Sequence, residues 1–331
     1  MKKAVWAAIV LGVAVANTAQ ANSDDSQEGI SWLKKMAGAS RQLNYSGTFV
    51  YQHGNQSETS RIVHYVNSAG GEFEKLETLD GPAREVVRNN DQVTCYLPAS
   101  KVVLIEQRDA RQQLPLLLPE RLNSVIENYV VRKEETDRVA GYECVWIALT
   151  PRDNLRYGRR FCAEINSGLP LRSRTISEKN QAVESFAFTQ ITIGGRFSSD
   201  KVKSRYATAS KNWRIDRSAL NISAGATGSG WTLNNQPQGF KKLTEMKRSI
   251  AGHSRDISHI VFSDGLAAVS VFIEPVSGER STPALTHQGA VNIYKRTYAD
   301  QMITVLGEVP AATVMQIANS LENKSAIAAG K

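Results

Sequence analysis

The chain has 331 residues with an ordinary hydrophobic share of 41%, which excludes a disordered protein and favours two folded domains. Its formal net charge is +8. No stretch after the first 21 residues reaches the roughly eighteen apolar residues of a membrane-spanning helix, and neither the three cysteines nor the five histidines show a zinc or CxxC spacing.

The N-terminus combines the features of an export signal. Lys2 and Lys3 make it basic, residues 4–16 form an uncharged apolar run of thirteen, and residues 19–21 (AQA) give a small-x-small cleavage site. A run of thirteen is too short to span a bilayer as a helix. The pattern predicts a signal peptide over residues 1–21 and a mature periplasmic protein, with a retained membrane anchor as the alternative. The cut site has no cysteine, so no lipid anchor is expected.

Residues 22–206 are predicted to form the larger domain. Apolar residues at helical spacing predict a helix over residues 26–43. Strands separated by Gly, Asn and Pro turns follow, at residues 46–53, 59–66, 72–79, 84–88, 92–97, 101–106, 129–135, 141–149, 157–165, 169–177 and 182–193. Such regular short strands favour one large antiparallel sheet, curved or barrel-like.

A segment rich in leucine and proline separates the two series of strands. Its composition predicts short helices across the open side of the sheet, either as a lid over an apolar cavity or as ordinary core packing. Aromatic residues on later strands either line that cavity or fill a core, and periodicity does not distinguish the two. The candidate lipid-cavity and lid residues are Leu114, Leu116, Leu117, Leu118, Leu122, Ile126, Trp146, Phe186 and Phe188.

Residues 207–230 are rich in small and polar residues and are predicted to be an interdomain linker, with residues 213–215 allowing anchorage to a domain. A smaller α+β domain is predicted over residues 231–322. Its strands are expected at 240–248, 257–263, 266–274, 289–297 and 301–306, with a hairpin turn at 263–265. Pro310 is expected to open a helix, and residues 323–331 to form a frayed tail.

Charge is uneven along the mature chain. Residues 22–200 carry 22 basic and 23 acidic side chains, a net −1, whereas residues 201–331 carry 16 and 9, a net +7. The basic half indicates an acidic protein segment, a phosphate-bearing lipid or a membrane surface as partner, and export argues against nucleic acid. A solvated basic face without a partner is the alternative. The candidate partner-binding residues are Lys241, Lys242, Lys247, Arg248, Lys295 and Arg296.

Cys144 and Cys162 lie on two predicted strands joined by the turn at residues 151–154. If the hairpin is centred on Asp153, the two cysteines lie directly opposite each other and a cross-strand disulfide is allowed. The oxidising periplasm would permit it. Three free buried thiols, Cys95 included, are an equal alternative.

No catalytic motif is present: the chain lacks a GxSxG elbow, an HExxH helix, a P-loop and a GxGxxG after a strand. His253 and His259 are six residues apart, which suits neither one helix face nor a usual metal-ligand pair. We therefore expect no enzyme, no metal and no cofactor. An envelope enzyme is the least favoured alternative, because no motif supports it. It stays open, since a catalytic triad can assemble from residues that are distant in the sequence.

Seven short segments occur in order along the mature chain: 43–51 (LNYSGTFVY), 80–88 (DGPAREVVR), 138–144 (RVAGYEC), 168–172 (GLPLR), 237–240 (PQGF), 262–266 (FSDGL) and 305–310 (VLGEVP). Together, behind a signal peptide, they resemble the RseB/MucB family of periplasmic negative regulators of the sigma-E type (AlgU-like) envelope-stress sigma factor. They span both predicted domains.

The resemblance implies an α+β protein. The first domain would resemble the lipoprotein carriers LolA and LolB, a large antiparallel unclosed β-barrel with covering helices. The smaller C-terminal domain would bind the periplasmic region of a membrane-spanning anti-sigma factor and shield it from site-1 proteolysis. Lipopolysaccharide or lipoprotein acyl chains in the apolar cavity would release that partner, and a homodimer is left open.

The alternative to a regulator is a periplasmic lipid or lipoprotein carrier without regulatory role. The second domain argues against it, because a simple carrier of that fold would need only the first.

Overall fold

The computed structural model describes residues 17–107, 118–119, 122–195, 198–217, 230–249, 256–276 and 282–323. Within them the chain forms a twelve-stranded sheet, a six-stranded sheet and a two-stranded sheet. We call the part built on the twelve-stranded sheet the first domain and the part built on the other two sheets the second domain.

The first domain is almost entirely strand. Its elements are α1 (Asn17–Gln42), β1 (Tyr45–His53), β2 (Gln56–Val66), β3 (Glu72–Thr78), β4 (Glu85–Asn89), β5 (Gln92–Leu97), β6 (Val102–Gln107), α2 (Asn123–Asn128), β7 (Tyr129–Val139), β8 (Tyr142–Pro151), β9 (Gly158–Glu164), β10 (Pro170–Ile176), β11 (Ala182–Ile193) and β12 (Arg214–Asp216). The sheet order is β12-β6-β5-β4-β3-β2-β1-β11-β10-β9-β8-β7. Since β12 and β7 are its two edges, the sheet is unclosed, and the predicted unclosed antiparallel architecture is confirmed.

The second domain packs one helix on a six-stranded sheet. Its elements are β13 (Trp231–Leu233), β14 (Lys241–Ser249), β15 (Asp256–Ser263), β16 (Ala268–Pro275), β17 (Ala284–Gln288), β18 (Val291–Tyr298), β19 (Gln301–Gly307), α3 (Ala311–Ser320) and β20 (Leu321–Asn323). The sheet order is β14-β15-β16-β19-β18-β17. Val314 and Ile317 of α3 are fully buried against Ile303 and Val305 of β19, so the helix predicted after Pro310 covers the core face.

The start of the first helix and the predicted linker differ from expectation. α1 begins at Asn17 rather than at residue 26, inside the predicted signal peptide. Within the linker predicted over residues 207–230, the residues for which anchorage to a domain was allowed pair with the first domain: β12 is parallel to β6, and the Trp213 ring lies 5.7 Å from the Tyr206 ring. The rest of the linker, residues 218–229, lies outside the described residues, as does the tail from residue 324.

Sequence periodicity also missed β17, whose five residues are all exposed and therefore show no alternation of apolar and polar side chains. No helix among the described residues is both long enough and apolar enough to cross a membrane.

Cys144 and Cys162 form a disulfide with their Cα atoms 5.4 Å apart. The expected direct opposition is wrong, however. The β8–β9 register pairs Trp146 with Cys162 and Cys144 with Glu164, so the hairpin is centred on Asn154. The two cysteines are diagonal neighbours on one face of the sheet.

Candidate functional site

An apolar layer lies between the helices α1 and α2 and the β7–β9 end of the first sheet. Leu33 and Met36 of α1 and Val125 of α2 have no exposed surface, and they share one buried cluster with Ile147 and Phe161 of the sheet. Fully burying side chains of this size stabilises a fold by about 1.5–3 kcal/mol each.

Three of the predicted lid residues belong to this layer. Leu118 is 0% and Leu122 8% exposed, and both are members of the cluster, while Ile126 packs against it. Leu114, Leu116 and Leu117 lie outside the described residues. The described part of the leucine-rich segment thus fills the space beneath the helices.

Phe186 and Phe188 form a second, aromatic cluster with Phe49. The ring centroids lie 4.5 Å apart for Phe49 and Phe186 and 5.1 Å apart for Phe186 and Phe188. The strand register places Phe186 on the same sheet face as Ile147 and Phe161 of the apolar layer. The aromatic rings nonetheless belong to a separate buried cluster, which also contains Cys144, Trp146 and Cys162.

Trp146 faces the other way. It is directly opposite Cys162, one residue out of step with Ile147, so its side chain leaves the opposite face of the sheet. The Arg160 and Arg174 guanidinium groups lie 4.9 and 5.0 Å from its ring centroid. Trp146 nonetheless belongs to the same buried cluster as Phe186 and Phe188.

A row of buried polar residues crosses the sheet face on which Tyr45 and Phe49 lie. Tyr45, His64, Glu74 and Arg88 lie directly opposite one another on β1 to β4. His64 is 1% exposed, stacks on Tyr45 at 4.9 Å and contacts the Leu43 carbonyl oxygen through Nδ1 at 2.7 Å. Burial lowers the His64 pKa below its ordinary value of 6.5, against the opposing effect of the Glu74 charge.

The six candidate partner-binding cations fall into two groups. Lys241 and Lys242 are exposed on β14, an edge strand, and the side chains of Lys247 and Arg248 on the same strand are outside the described residues. Lys295 and Arg296 lie on β18, which three other strands separate from β14, and as consecutive strand residues they face opposite sides. The structure does not join the two groups into one patch.

The two domains meet through a buried ion pair that sequence reasoning missed. Arg156 Nη1 lies 2.7 Å from Asp264 Oδ2, and both side chains are 0% exposed. The Tyr129 hydroxyl donates to the same oxygen at 3.0 Å, and the Leu266 and Ala267 N–H groups donate to Oδ1 at 2.9 and 2.7 Å. Four donors thus compensate the desolvation of this carboxylate. Burial, together with the Asp264 charge, raises the Tyr129 pKa well above its ordinary value, so the phenol remains a donor.

The guanidinium of Arg156 is fixed on its other sides as well. Nε and Nη2 each donate to an Asp153 carboxylate oxygen at 2.9 Å, a bidentate pair, and Nη2 also donates to the Gln238 carbonyl. The Tyr129 and Phe240 ring centroids lie 5.9 and 5.0 Å away. The loop between β8 and β9 is thereby anchored in the second domain.

Three further contacts extend this interface: Arg159 to Glu308 at 2.8 Å, Asn292 to the Tyr157 hydroxyl at 3.0 Å, and the Thr313 hydroxyl to the Leu155 carbonyl at 2.7 Å.

The short helix α2 touches both the apolar layer and the second domain. Gly265, with φ +100°, and Gly239, with φ +79°, pack so closely on Ser124 and Asn128 that an added Cβ would overlap those side chains. Leu266 of the second domain packs against the cluster that contains Val125. One helix therefore covers the apolar layer with one side and contacts the second domain with the other.

No sequence signal pairs Arg156 with Asp264. Among the described residues no cluster of His, Cys, Asp and Glu could hold a metal ion.

Each of the two domains matches a known protein-domain family. Residues 28–206 match the MucB/RseB N-terminal domain family, and residues 225–322 match the MucB/RseB C-terminal domain family.

The chain is 33% identical over 324 residues to the sigma factor AlgU regulatory protein MucB of Pseudomonas aeruginosa, which covers 96% of this chain and 97% of that protein. The P. aeruginosa MucA/MucB complex matches with a TM-score of 0.72 and 31% identity, covering 89% of this chain and 99% of the matched one. MucB bound to MucA(peri) matches with a TM-score of 0.71 and 30% identity, covering 89% and 98%. This chain belongs to the MucB/RseB family of sigma factor regulatory proteins.

Proposed function

We propose that this protein is a periplasmic negative regulator that binds the periplasmic region of a membrane-spanning anti-sigma factor, shields it from site-1 proteolysis, and releases it when acyl chains enter the first domain. The main support for this proposal is the position of α2, which contacts both the apolar layer and the second domain. The solved MucB relatives that hold MucA support the partner class.

The second domain is the proposed contact for the anti-sigma segment. The net +7 of residues 201–331 favours an acidic partner, and charge complementarity raises the association rate and fixes orientation. Exposed Lys241 and Lys242 on the edge strand β14 are the described part of that contact. An extended partner segment can hydrogen-bond to such an edge.

The apolar layer is the proposed sensor. It is filled by Leu118 and Leu122, so acyl chains enter only by displacing α2 or the segment before it. Burying an acyl chain contributes about 0.8 kcal/mol per methylene, so eight methylenes supply roughly 6 kcal/mol towards that displacement.

Displacement of α2 would remove the contacts of Ser124 and Val125 with the second domain. A ligand can weaken partner binding only by binding the rearranged protein better than the complex, and the coupling must be reciprocal. The anti-sigma segment should therefore weaken lipid binding by the same factor.

The periplasmic location rests on the predicted export signal and on the Cys144–Cys162 disulfide, which suits an oxidising compartment.

A protection assay tests the proposal. The chain without residues 1–21 is mixed with the periplasmic segment of the anti-sigma factor and its site-1 protease, with lipopolysaccharide, with deacylated lipopolysaccharide, or with neither. We expect protection that lipopolysaccharide reverses and deacylated lipopolysaccharide does not. Absence of protection together with lipid binding would leave a carrier without regulatory role.

A further inference from the structure

Two rows of directly opposed residues cross neighbouring strands on the sheet face that carries the aromatic cluster. The row nearer the second domain is polar and consists of Glu184 on β11, Thr175 on β10 and Arg159 on β9. The next row consists of Tyr51 on β1, Phe186 on β11, Ser173 on β10 and Phe161 on β9. Because the rows are two residues apart along each strand, their side chains point to the same face and lie beside one another.

Glu184 is the buried acid of the polar row. Its side chain is 5% exposed, and the Tyr51 hydroxyl donates to Oε1. The Thr175 hydroxyl donates to Oε2 at 2.6 Å, and Arg159 Nη1 donates to the same oxygen at 3.2 Å. These donors replace the water that the carboxylate loses on burial. Burial and the Glu184 charge raise the pKa of Tyr51, so the phenol keeps the proton that it donates.

Arg159 serves two carboxylates, one in each domain. Nη1 donates to Glu184, whereas Nη2 lies 2.8 Å from Oε2 of Glu308, in the connection between β19 and α3. Burial alone would lower the pKa of Arg159, but the Glu308 and Glu184 charges raise it, so the guanidinium stays charged. Since one positive charge faces two negative charges, the two carboxylates compete for it.

The two carboxylates differ in what can replace Arg159. The Glu308 side chain is 37% exposed, so water can take the place of the guanidinium there. Glu184 is enclosed, and loss of a donor would leave a buried oxygen unsatisfied, which costs more. If Glu184 loses the Tyr51 hydroxyl, Arg159 should therefore move towards Glu184 and leave Glu308.

The two domains are loosely packed beside this ion pair. A polar cleft of about 540 Å³ lies between the β1–β2 turn and the β17–β18 turn, and both Glu184 and Gly289 line it. On the α2 side, by contrast, Arg156 and Asp264 have no exposed surface. Loss of the contact between Arg159 and Glu308 can therefore loosen one side of the interface while the other side stays closed.

We propose that Tyr51 controls this domain contact. While its hydroxyl bonds to Glu184, Arg159 also holds Glu308; when the hydroxyl leaves, Arg159 turns to Glu184 and releases Glu308. The Tyr51 ring packs against the cluster that contains Phe49 and Phe186, so a molecule that displaces those rings also displaces the hydroxyl. Identifying that molecule as an acyl chain rests on the proposed function, whereas control of the contact by Tyr51 does not.

The distance between the domains tests this control. Nitroxide labels on Ser57→Cys and Thr286→Cys, two exposed positions on β2 and β17, report that distance in the mature chain with Cys95→Ser. Tyr51→Phe and Glu308→Gln should each raise the population of longer distances roughly fivefold, the effect of about 1 kcal/mol.

Two control variants make the same chemical changes elsewhere. Tyr65→Phe removes a hydroxyl from a half-buried tyrosine whose side chain leaves the other face of the sheet. Asp300→Asn removes a negative charge at the exposed turn between β18 and β19, at the end of β18 away from Gly289. Both should show the wild-type distances.

The double variant decides whether the two residues act through Arg159. If they do, Tyr51→Phe/Glu308→Gln should show the same distances as Glu308→Gln alone. Thr175→Val removes another donor to Glu184 and should act as Tyr51→Phe does. Circular dichroism confirms that each variant is folded. Wild-type distances in Tyr51→Phe and Thr175→Val, or effects that add in the double variant, would overturn the proposal.

The protection assay separates this inference from the proposed function. A wild-type chain that does not protect the anti-sigma segment would contradict the proposed function, while the distances would still decide the role of Tyr51. Where the wild type protects, Tyr51→Phe should lower the lipopolysaccharide concentration for half-maximal release about fivefold, because part of the domain contact is already lost. An unchanged concentration would overturn the link between Tyr51 and the ligand.

Discussion

Arg156 and Asp264 are 108 residues apart in the chain, and their side chains meet at 2.7 Å with no exposed surface. Each belongs to a different domain, and each has further hydrogen bonds on its own side of the contact. The relative position of the domains is therefore fixed by a fully paired charge and not by apolar burial alone.

Removing one member of this pair should destabilise the protein strongly. Asp264→Ala removes the buried carboxylate between the domains, so that Arg156 keeps only Asp153 and the Gln238 carbonyl and the Tyr129 hydroxyl loses its acceptor. We expect a loss of about 3–5 kcal/mol in the free energy of unfolding. Urea unfolding followed by circular dichroism measures it. Asp200→Ala breaks the exposed pair with Lys203 and should change the free energy of unfolding far less, because solvent screens that pair. Equal effects of the two variants would contradict a structural role for the buried pair.

The close approach of α2 to the second domain can be tested at a glycine. Gly265→Ala adds a Cβ that overlaps Ser124, whereas Gly141→Ala, at a similar φ of +88°, adds one with no atom within 4 Å. Both should lose about 1 kcal/mol through backbone strain, and Gly265→Ala about 1–3 kcal/mol more through the clash. In the protease assay only Gly265→Ala should lower protection without lipid. If both variants protect equally well, α2 does not couple the two sites.

Protonation of His64 should weaken the fold. Its pKa in the folded protein is below 6.5, so the neutral form is favoured, and the contribution to stability is present above about pH 6.5 and lost as pH falls through the lower folded pKa. Denaturant unfolding at pH 7.5 and 5.5 should show a smaller decrease for His64→Gln than for the wild type. His287→Gln, at an exposed position, is the control and should keep the wild-type decrease.

The disulfide should contribute to stability through the loop that it closes. Cys144 and Cys162 are 18 residues apart, and closing such a loop is worth about 3 kcal/mol. Cys144→Ala/Cys162→Ala should lower the free energy of unfolding by about that amount, and reductant should no longer affect the melting temperature. Cys95→Ser retains the disulfide and should keep the response to reductant.

Charge reversal on β14 tests the partner contact. Lys241→Glu/Lys242→Glu should weaken binding of the anti-sigma segment about tenfold and make it less sensitive to salt. Lys101→Glu/Lys179→Glu makes the same charge change at exposed positions of the first domain and should not affect affinity. Lys295→Glu, on the fourth strand from β14, shows whether the β18 group also takes part.

Local patterns predicted most of the strands, because apolar and polar residues alternate between clear turn signals and the observed bounds lie within a few residues of those expected. The helix of the second domain followed in the same way from Pro310 and the apolar face of Val314 and Ile317. Local patterns carry no information about which residues far apart in the sequence come into contact. The sequence allowed residues 213–215 to be anchored to a domain, but β12 pairs in parallel with a strand more than a hundred positions earlier, and no local pattern identifies that strand.

The candidate site was predicted less completely for the same reason. The leucine-rich segment indicated covering helices, but only packing shows that Leu118 and Leu122 are enclosed. Trp146 differs from Ile147 by a single position, and without the register the two faces of β8 look equally apolar. The ion pair of Arg156 with Asp264 forms only when the two domains dock, and the two residues are too far apart in the sequence for a local pattern to include both.

Edge strands of the two sheets differ in how readily a strand of another molecule could pair with them. Edge strand β7 carries exposed charges and a bulge between Lys133 and Thr136, both of which discourage another strand from adding there. Edge strand β17 (Ala284–Gln288) is exposed along its whole length and has no lysine, arginine or carboxylate. The β17 edge, with Leu285 47% exposed, therefore has none of the charged residues or bulges that discourage a further strand from pairing there.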